Sequence, residues 1–283
     1  MVTCLGDAAR AVLTTAAPMD KVRLTRAHAA AWAEGRLSPD VPVMPPDRPA
    51  RPDRPELLLP RDMPKRGRGG NAQNRVALLH ALAHIELNAI DLAWDLVSRF
   101  AGAGLPKGFT DDWVRVADDE ARHFQMLEER LNALGASYGD LPAHDGLWQA
   151  ATETAHDLAA RLAVVPMVLE ARGLDVTPDT VRRLRAFGDD DSADLLQTIH
   201  DEEIHHVAAG RRWFNHLCAQ RGVEPVALWQ ELVTRHFRGG LKRPFNTESR
   251  TLAGFGPEYY EPITPVLPPR PARPPVDRQP ETR

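Results

Sequence analysis

The pattern that decides the fold of this chain is carried by two short segments, DEARH at residues 119–123 and EEIHH at residues 202–206. Each segment contains a glutamate that is followed three residues later by a histidine. Residues at this spacing project side by side from an α-helix, so each pair can bind one metal ion. The two pairs are Glu120 with His123 and Glu203 with His206.

Both segments lie in long stretches whose apolar residues recur with a period of about 3.6, which is typical of an α-helix. No stretch shows the alternation of a β-strand convincingly, so the sequence predicts an all-α protein. Long helices are expected at residues 72–101, 110–134, 147–172 and 192–221, with shorter helices at 178–188 and 225–237 and a helical hairpin at 5–34 that is broken at Pro18.

Each of the four long predicted helices places one glutamate on its apolar face. An unpaired buried carboxylate is costly, so four of them need a common cation or protons. Two lone glutamates and two Glu-x-x-His pairs are the ligand set of a dinuclear iron or manganese site in a four-helix bundle. The predicted metal ligands are therefore Glu86, Glu120, His123, Glu170, Glu203 and His206.

The intervals between these glutamates also fit such a bundle. The interval from Glu86 to Glu120 nearly equals the interval from Glu170 to Glu203, and a longer stretch separates the two halves. This arrangement predicts two antiparallel helix pairs joined by a long crossover, which is the ferritin-like topology.

Two further Glu-x-x-His pairs compete with the assignment. Glu153–His156 is rejected because it lies about 21–26 Å from Glu170 along the same predicted helix, at about 1.5 Å per residue. Glu202–His205 stays open. We prefer Glu203–His206 because its acid lies on the apolar stripe of the last long helix.

Four other residues are candidates for an outer layer around the ligands. Asp119 and Glu202 directly precede the paired glutamates, and each can accept the outer N–H of the histidine on the other pair. His84 and Asp91 share a different helix face, where they form either an outer layer of the site with a proton path or a structural polar network. The structural network is the favoured interpretation for His84 and Asp91.

The composition excludes several classes of protein. The 283 residues carry a formal net charge of −4, so no global basic field attracts nucleic acid. Two cysteines are too few for a disulfide scaffold or a Cys-rich metal site. Because no uninterrupted apolar run reaches about 18 residues and no signal-peptide core is visible, we expect a cytoplasmic protein without a membrane partner.

The 25 prolines fall mainly on either side of the predicted bundle. Proline restricts φ and removes a backbone donor, so we expect extended segments there rather than helices. The predicted organisation is a helical hairpin at 1–38, a Pro-rich and basic linker at 39–71, the four-helix bundle with one additional helix at 72–238, a C-terminal wrap at 239–260 and a Pro-rich, partly disordered tail at 261–283.

Basic residues of the linker form a second candidate site. Lys65, Arg66 and Arg68 lie among glycines, and a loop of this kind can bind phosphate or RNA. A solvated loop paired with acids is the favoured interpretation of these residues.

Further motifs are spread along the chain. They are HALAHIELNAIDLAWD (80–95), DDWVRVADDEARHFQMLEERL (111–131), YGDLPAHDGLW (138–148), RLAVVPMVLEARGLDVTP (161–178), DEEIHHVAAGRRWF (201–214) and RPFNTESRTLAGF (243–255). With these motifs the chain resembles an uncharacterised bacterial ferritin-like family, a domain of unknown function, from the N-terminal hairpin to about Glu258. That family is similar to di-iron carboxylate proteins such as rubrerythrin and a tRNA hydroxylase.

The resemblance implies a ferritin-like fold and supports the six ligands named above, but it implies no substrate. In the wider di-iron class the acid before each Glu-x-x-His is commonly aspartate. Asp119 follows that pattern and Glu202 departs from it, which leaves the outer partner of His123 open.

The leading hypothesis is an oxidoreductase that uses dioxygen or peroxide with two iron ions. A manganese–iron pair accepts the same ligands. Glu120 and Glu203 would bridge the two ions, and Glu86 and Glu170 would be terminal ligands. Hydroxylation of a small molecule or of RNA would require an external electron donor, and a homodimer is a compatible assembly. Two alternatives stay open: a ferroxidase or peroxidase, and a non-enzymatic binding module that a metal stabilises.

Overall fold

The computed structural model describes residues 2–41, 44–64, 71–102 and 104–265. Within these ranges the chain forms α-helices, a 3₁₀ turn and a π-helical segment but no β-strand, so the predicted all-α class is confirmed. Three linker cations of the second candidate site, Lys65, Arg66 and Arg68, lie outside the described residues, as do residues 266–283 of the predicted tail.

Helices of very different length follow one another along the chain. They are α1 (Leu5–Leu13), α2 (Pro18–Ala33), α3 (Ala72–Phe100), α4 (Lys107–Ala133), α5 (Gly146–Glu153), α6 (Leu158–Val164), α7 (Ala171–Ala186), α8 (Asp190–Arg221), α9 (Pro225–His236), α10 (Thr247–Leu252) and α11 (Pro257–Tyr260). A π-helical segment, Val165–Glu170, joins α6 to α7, and we call these three elements the composite helix. The 3₁₀ turn lies at Pro60–Asp62.

The ends of the long helices follow from local capping chemistry. The Asn71 side chain accepts a hydrogen bond from the Asn74 backbone N–H at 2.8 Å and so caps the start of α3. The Asp189 side chain accepts from the Ser192 N–H at 3.2 Å and caps α8 in the same way. Helix α8 ends at Arg221 and is followed by Gly222, whose φ of 65° lies in the left-handed region that favours glycine.

The long helices pack as two pairs. Helix α3 lies along α4, and the composite helix lies along α8, while contacts between α4 and α8 join the pairs. Because only short connections separate the partners, each pair is antiparallel. Helices α1 and α2 pack against α3 and α4, and α9 packs against α6.

Helix α3 packs against α1, α4 and α5. It is the one helix of the described residues whose length and composition reach those of a membrane span, with a mean hydropathy of 1.4 over an 18-residue window. In the structure 67% of that window is buried inside the protein. A long helix that is buried in this way is typical of a protein core.

The third long helix differs from its prediction. It begins at Leu158 rather than at residue 147, after a break at which the Asp157 side chain accepts from the Ala159 N–H at 3.0 Å. It then continues through Gly173 and Pro178 to Ala186. The predictions of an end at Gly173 and of a separate helix from Pro178 were therefore wrong.

The helix passes through Pro178 because another part of the chain replaces the missing hydrogen bond. Proline has no N–H, so the carbonyl of Leu174, one turn earlier, loses its helical partner. The Asn246 side chain donates to that carbonyl at 3.2 Å. The C-terminal segment thus satisfies an acceptor inside α7, and the helix need not end there.

A buried polar network attaches the N-terminal hairpin and the Pro-rich segment to α3. The Asp91 carboxylate contacts both Lys21 of α2 and Arg51 of the Pro-rich segment. Arg51 also donates to the Asn88 side chain at 2.6 Å, and Asn88 lies 3.1 Å from Nε2 of His84. The structure places His84 and Asp91 in this network, and none of their contacts within the described ranges involves a predicted metal ligand.

Candidate metal centre

The four long helices bring the six predicted ligands into one cluster. Glu86 comes from α3, Glu120 and His123 from α4, Glu170 from the end of the π-helical segment, and Glu203 and His206 from α8. The potential ligand atoms lie within 4.8 Å of one another in two groups, one of Glu86, Glu120, His123 and Glu203, the other of Glu170, Glu203 and His206. Glu203 belongs to both groups, so the groups form one continuous cluster.

Both histidines direct the same ring nitrogen into the cluster. His123 Nδ1 lies 3.6 Å from Glu120 Oε2, and His206 Nδ1 lies 3.1 Å from Glu120 Oε1. The Glu120 carboxylate therefore lies between the two imidazoles, with one oxygen toward each ring. The centroids of the rings are 5.8 Å apart.

The other carboxylates differ in which histidine they approach. Glu203 Oε1 lies 3.9 Å from Nδ1 of His123 and 3.5 Å from Nδ1 of His206, so it approaches both rings. Glu86 Oε2 lies 3.5 Å from His123 Nδ1. Glu170 is grouped with His206 instead. Glu86 and Glu170 thus lie toward opposite ends of the cluster.

The outward nitrogen of each histidine meets an acid from the opposite pair, which is the contact expected from the sequence. His123 Nε2 lies 2.7 Å from Glu202 Oε2, and His206 Nε2 lies 3.4 Å from Asp119 Oδ2. An ionised carboxylate can only accept, so Nε2 donates in both rings and Nδ1 is the nitrogen that can bind a cation. Glu202, which departs from the aspartate pattern, orients His123 as Asp119 orients His206.

Arg122 joins the two acids of this outer layer. Its Nη2 lies 3.2 Å from Asp119 Oδ1 and also contacts Glu202 Oε2. The sequence analysis missed this residue, although its place between Glu120 and His123, three residues after Asp119, was a signal. One guanidinium group therefore connects the acids that orient both histidines.

Hydrogen bonds keep the outer acids ionised. Those from His123 and Arg122 outweigh burial and lower the pKa of Glu202. Burial opposes ionisation of Asp119, but hydrogen bonds from His206 and Arg122 lower its pKa. Burial also opposes protonation of the two histidines, yet the surrounding carboxylates raise the pKa of both rings well above the usual value. The environment therefore favours positive charge at each imidazole.

Burial and crowding act on the inner carboxylates. Burial, followed by the charge of Glu120, raises the pKa of Glu86 well above its usual range and also raises that of Glu203. Burial and the charge of Glu203 raise the pKa of Glu170. Burial opposes ionisation of Glu120 too, but close polar contacts with Glu86 and the histidines hold its pKa well below the usual range. Protons or cations would relieve the repulsion between these acids.

The cluster contains buried polar atoms that fit a metal. Those without a hydrogen-bond partner among the described residues include both carboxylate oxygens of Glu120, Oε2 of Glu170, Oε2 of Glu203 and Nδ1 of His123 and His206. An unsatisfied buried polar atom costs about 1–3 kcal/mol, so a set of them in one place calls for a common partner. Carboxylate oxygens and imidazole nitrogens are donors that iron, manganese and zinc accept.

The position of Glu170 depends on the π-helical segment that it ends. Pro166 lies in this segment and has no N–H for an α-helical hydrogen bond. On α8, a Cβ at Gly210 would lie 2.5 Å from Cβ and Cγ of Pro166, so the two helices approach closely only because residue 210 is glycine. Segments of this kind are rare and occur frequently at functional sites.

A cavity of about 170 Å³ opens onto the four glutamates, and we call it the metal cavity. Much of the remaining lining is apolar, with Leu82, Leu169, Leu196 and Ile199 among the lining side chains. Two other lining residues, Ile85 of α3 and Val176 of α7, are 42% and 37% exposed. The cavity therefore reaches the protein surface between α3 and α7.

The competing Glu-x-x-His pairs lie elsewhere. His205 is exposed, and Glu202 contacts the cluster only from outside, through His123. His156 is exposed as well, and Glu153 lies 3.8 Å from Arg238. The structure thus brings Glu203 and His206 to the cluster, and neither competing pair.

Comparison with known proteins identifies relatives but no activity. Residues 14–261 match the family described as "Protein of unknown function (DUF455)". An uncharacterized protein of Haemophilus influenzae is 41% identical over 213 residues, which cover 73% of each chain. No solved structure matches the chain.

Proposed function

This chain belongs to the DUF455 family, and we propose that it is a dinuclear metal protein built on a ferritin-like four-helix bundle. The observation that carries the proposal is the convergence of buried oxygen and nitrogen atoms that lack hydrogen-bond partners within the described part of the chain. Two lone glutamates and two Glu-x-x-His pairs on four helices form the donor set of dinuclear carboxylate proteins with this fold. We assign two iron ions to it, and a manganese–iron pair suits the same donors.

The distances support different roles for the four carboxylates. Glu120 and Glu203 each approach both imidazoles, so we assign them as bridging ligands. Glu86 and Glu170 lie toward opposite ends of the cluster, so we assign them as terminal ligands, one for each ion. Each ion would then have one histidine, oriented from outside by an acid of the opposite pair.

The helix packing supports the ferritin-like assignment. The chain forms one antiparallel pair from α3 and α4 and a second pair from the composite helix and α8. A long connection that includes α5 leads from the first pair to the second. Two such pairs joined by one crossover, with carboxylates directed inward, are the arrangement of ferritin-like dinuclear proteins.

We further propose that the protein is an oxidoreductase of the hydroxylase type. Bound iron would supply redox chemistry with dioxygen or peroxide. The chain itself orients both imidazoles through Asp119 and Glu202, and the metal cavity places apolar side chains beside the glutamates. An apolar cavity at the ligands favours an organic substrate over free iron, and an external donor would supply the electrons.

The test is to load the metal-free protein with Fe(II) under anaerobic conditions, count the metal per chain and then mix the protein with oxygen. We expect about two iron ions per chain and an absorption change on oxidation. The Glu120→Ala and Glu203→Ala double variant should lose both signals. The matched control is Glu153→Ala, which alters a Glu-x-x-His pair that lies outside the cluster.

Two outcomes would contradict the proposal in different ways. A wild-type protein that binds no iron would overturn the dinuclear assignment. A protein that binds two ions and turns over Fe(II) and peroxide at a steady rate without an organic substrate would replace the hydroxylase with the ferroxidase or peroxidase alternative.

A further inference from the structure

A second cavity, which we call the basic cavity, borders the metal cavity. Its volume is about 230 Å³, and Leu169 and Arg172 line both cavities. These two residues flank Glu170 in the chain, so the basic cavity begins beside a predicted metal ligand. Each cavity alone is smaller than about 300 Å³, the lower end of the range for small-molecule sites, so a ligand of ordinary size would need space from both.

Cations outnumber carboxylates in the lining of the basic cavity. Three cations, Arg172, Lys242 and Arg250, line it together with one carboxylate, that of Asp175. The aromatic side chains of two further residues, Phe237 and Phe245, and a glycine pair complete much of the wall. The formal charge of the lining is therefore positive, whereas the metal cavity beside it is lined by four carboxylates.

Arg250 is already paired with Asp175. Its Nε and Nη2 lie 2.7 and 2.8 Å from the two oxygens of Asp175, which is the bidentate geometry of a strong ion pair. The guanidinium group also lies 4.4 Å from the ring centroid of Tyr260 and 4.9 Å from that of Phe245. Asp175 and Arg250 thus form a buried structural pair, and two cations remain for a ligand.

Arg172 is held in place by one end of its guanidinium group. Nη1 donates to the carbonyl oxygens of Lys242 and Pro244 at 2.7 and 3.0 Å and lies 3.4 Å from Asp175 Oδ2. The hydrogen bonds that anchor Arg172 to the described residues all use this nitrogen, and 38% of its side chain is exposed. Nε and Nη2 are therefore left to contact a ligand. Lys242 is exposed and lines the same cavity.

We infer that this site takes an apolar organic anion, whose hydrocarbon part occupies the metal cavity and whose charged group is bound by Arg172 and Lys242. The inference rests on the proposed function, because the metal cavity is where oxidation would take place. A carboxylate and a phosphate share the chemistry that an arginine and a lysine recognise. An uncharged hydrocarbon would leave the two cations unpaired, and a cationic ligand would be repelled by them.

The experiment compares four probes with the same chain length: octanoate, octyl phosphate, octanol and octylamine. Their binding is measured by isothermal titration calorimetry on zinc-loaded protein, which is inert to oxygen, and on metal-free protein. We expect at least one anion to bind about tenfold more tightly than octanol, since a hydrogen bond to a charged group has about this effect. The tighter of the two anions identifies the head group.

Three variants complete the test. Arg172→Gln and Lys242→Gln should each reduce the preference for the anion. If loss of the Arg172 hydrogen bonds impairs folding, the Lys242→Gln variant still tests the anion preference. The matched control is Arg235→Gln, which removes one charge from α9 at a residue paired with Glu231. It should leave the preference unchanged.

Zinc-loaded wild-type protein that binds octanol or octylamine as tightly as the anions would overturn the inference. It would also be overturned if the anion preference survived in the Arg172→Gln and Lys242→Gln double variant. The metal content of the same samples separates this result from the proposed function. A protein that takes up no metal but keeps an anion preference dependent on Arg172 would overturn the dinuclear assignment and support the anion site.

Discussion

Gly210 of α8 lies against Pro166 of the π-helical segment so closely that a Cβ at residue 210 would stand 2.5 Å from the proline ring. Four residues after Pro166, the segment ends at Glu170, which joins Glu203 and His206 in the candidate metal centre. The close packing of the Pro166 ring on the Gly210 backbone therefore holds the segment that carries one carboxylate of the cluster.

Replacing this glycine tests the contact. Gly210→Ala forces Pro166 away from α8, so we expect a loss of about 1–3 kcal/mol in the free energy of unfolding. We also expect fewer bound metal ions, because Glu170 moves with the segment. Thermal unfolding and metal analysis measure the two effects.

The matched control is Gly173→Ala. Gly173 also lies inside a long helix, but nothing stands within 4 Å of a Cβ added there. This variant should be as stable as wild type or more stable by about 0.4–1 kcal/mol. If both variants had the same thermal stability and the same metal content, the contact with Pro166 would have no special role.

The second prediction concerns Glu202, which accepts a hydrogen bond from His123 outside the cluster. Glu202→Ala leaves the imidazole without its orienting partner, and loss of such a partner typically weakens metal affinity by about 10–100-fold. Competition against a chromophoric chelator with Zn²⁺ measures the affinity. Glu129→Ala, at an exposed residue of α4, is the control and should bind as wild type does. An unchanged affinity in Glu202→Ala would argue against the orienting role.

The third prediction separates the charge of the cluster from its metal. Burial and the charge of Glu120 raise the pKa of Glu203, so this carboxylate disfavours the metal-free fold when ionised. Metal-free Glu203→Gln should therefore be at least as stable as metal-free wild type. At a metal concentration of about 100 times Kd, the free energy of unfolding of wild type should rise by about 2.7 kcal/mol, and that of the variant should not. Calorimetric Tm values with and without Zn²⁺ measure the stability of the metal-free proteins and the stabilisation by the metal. A variant that is less stable than wild type without metal and is still stabilised by Zn²⁺ would contradict the prediction.

The fourth prediction is a pH dependence of stability. Burial lowers the pKa of His84 to about 4, whereas an unfolded histidine titrates near about 6.5. Between these values the folded ring is neutral and the unfolded ring takes up a proton. The contribution of His84 to the free energy of unfolding should thus be fully present above about pH 6.5. It should decrease as the pH falls toward 4, by at most about 1.4 kcal/mol per pH unit.

Urea denaturation of a His84→Gln variant over this pH range checks the effect. The variant should show a shallower dependence on pH than wild type, because the titrating ring is gone. His205→Gln, at an exposed histidine of α8, is expected to keep the wild-type slope. A His84→Gln slope equal to that of wild type would exclude His84 as the source.

Periodicity was sufficient to predict α3, α4 and α8 and to place a glutamate on the inner face of each long helix, whereas it gave wrong bounds for the composite helix. A helix relates residues three and four positions apart by its own geometry, so the pairing of Glu120 with His123 needed no knowledge of other helices. The same reasoning preferred Glu203–His206 over Glu202–His205, and the structure buries His206 while His205 is exposed.

Prediction failed where distant residues complete a local structure. Pro178 was expected to begin a helix, but it lies inside α7 because Asn246 donates to the carbonyl of Leu174, 72 positions away in the chain. Arg122 was missed for a related reason, since its partner Glu202 lies on another helix. In both cases a contact with a residue far along the chain decides the role of the residue, and local sequence preference does not show that contact.

The sequence by itself determined the helical class of this protein and the residue types on the inner faces, because both depend on spacing within one helix. Only the tertiary structure decided that the six candidate ligands meet, that Asp119 and Glu202 each serve the histidine of the opposite pair, and that Arg172 and Lys242 line one basic cavity beside the glutamates. Those relations join atoms on different helices, whose approach is set by side-chain packing and by contacts such as that of Gly210 with Pro166.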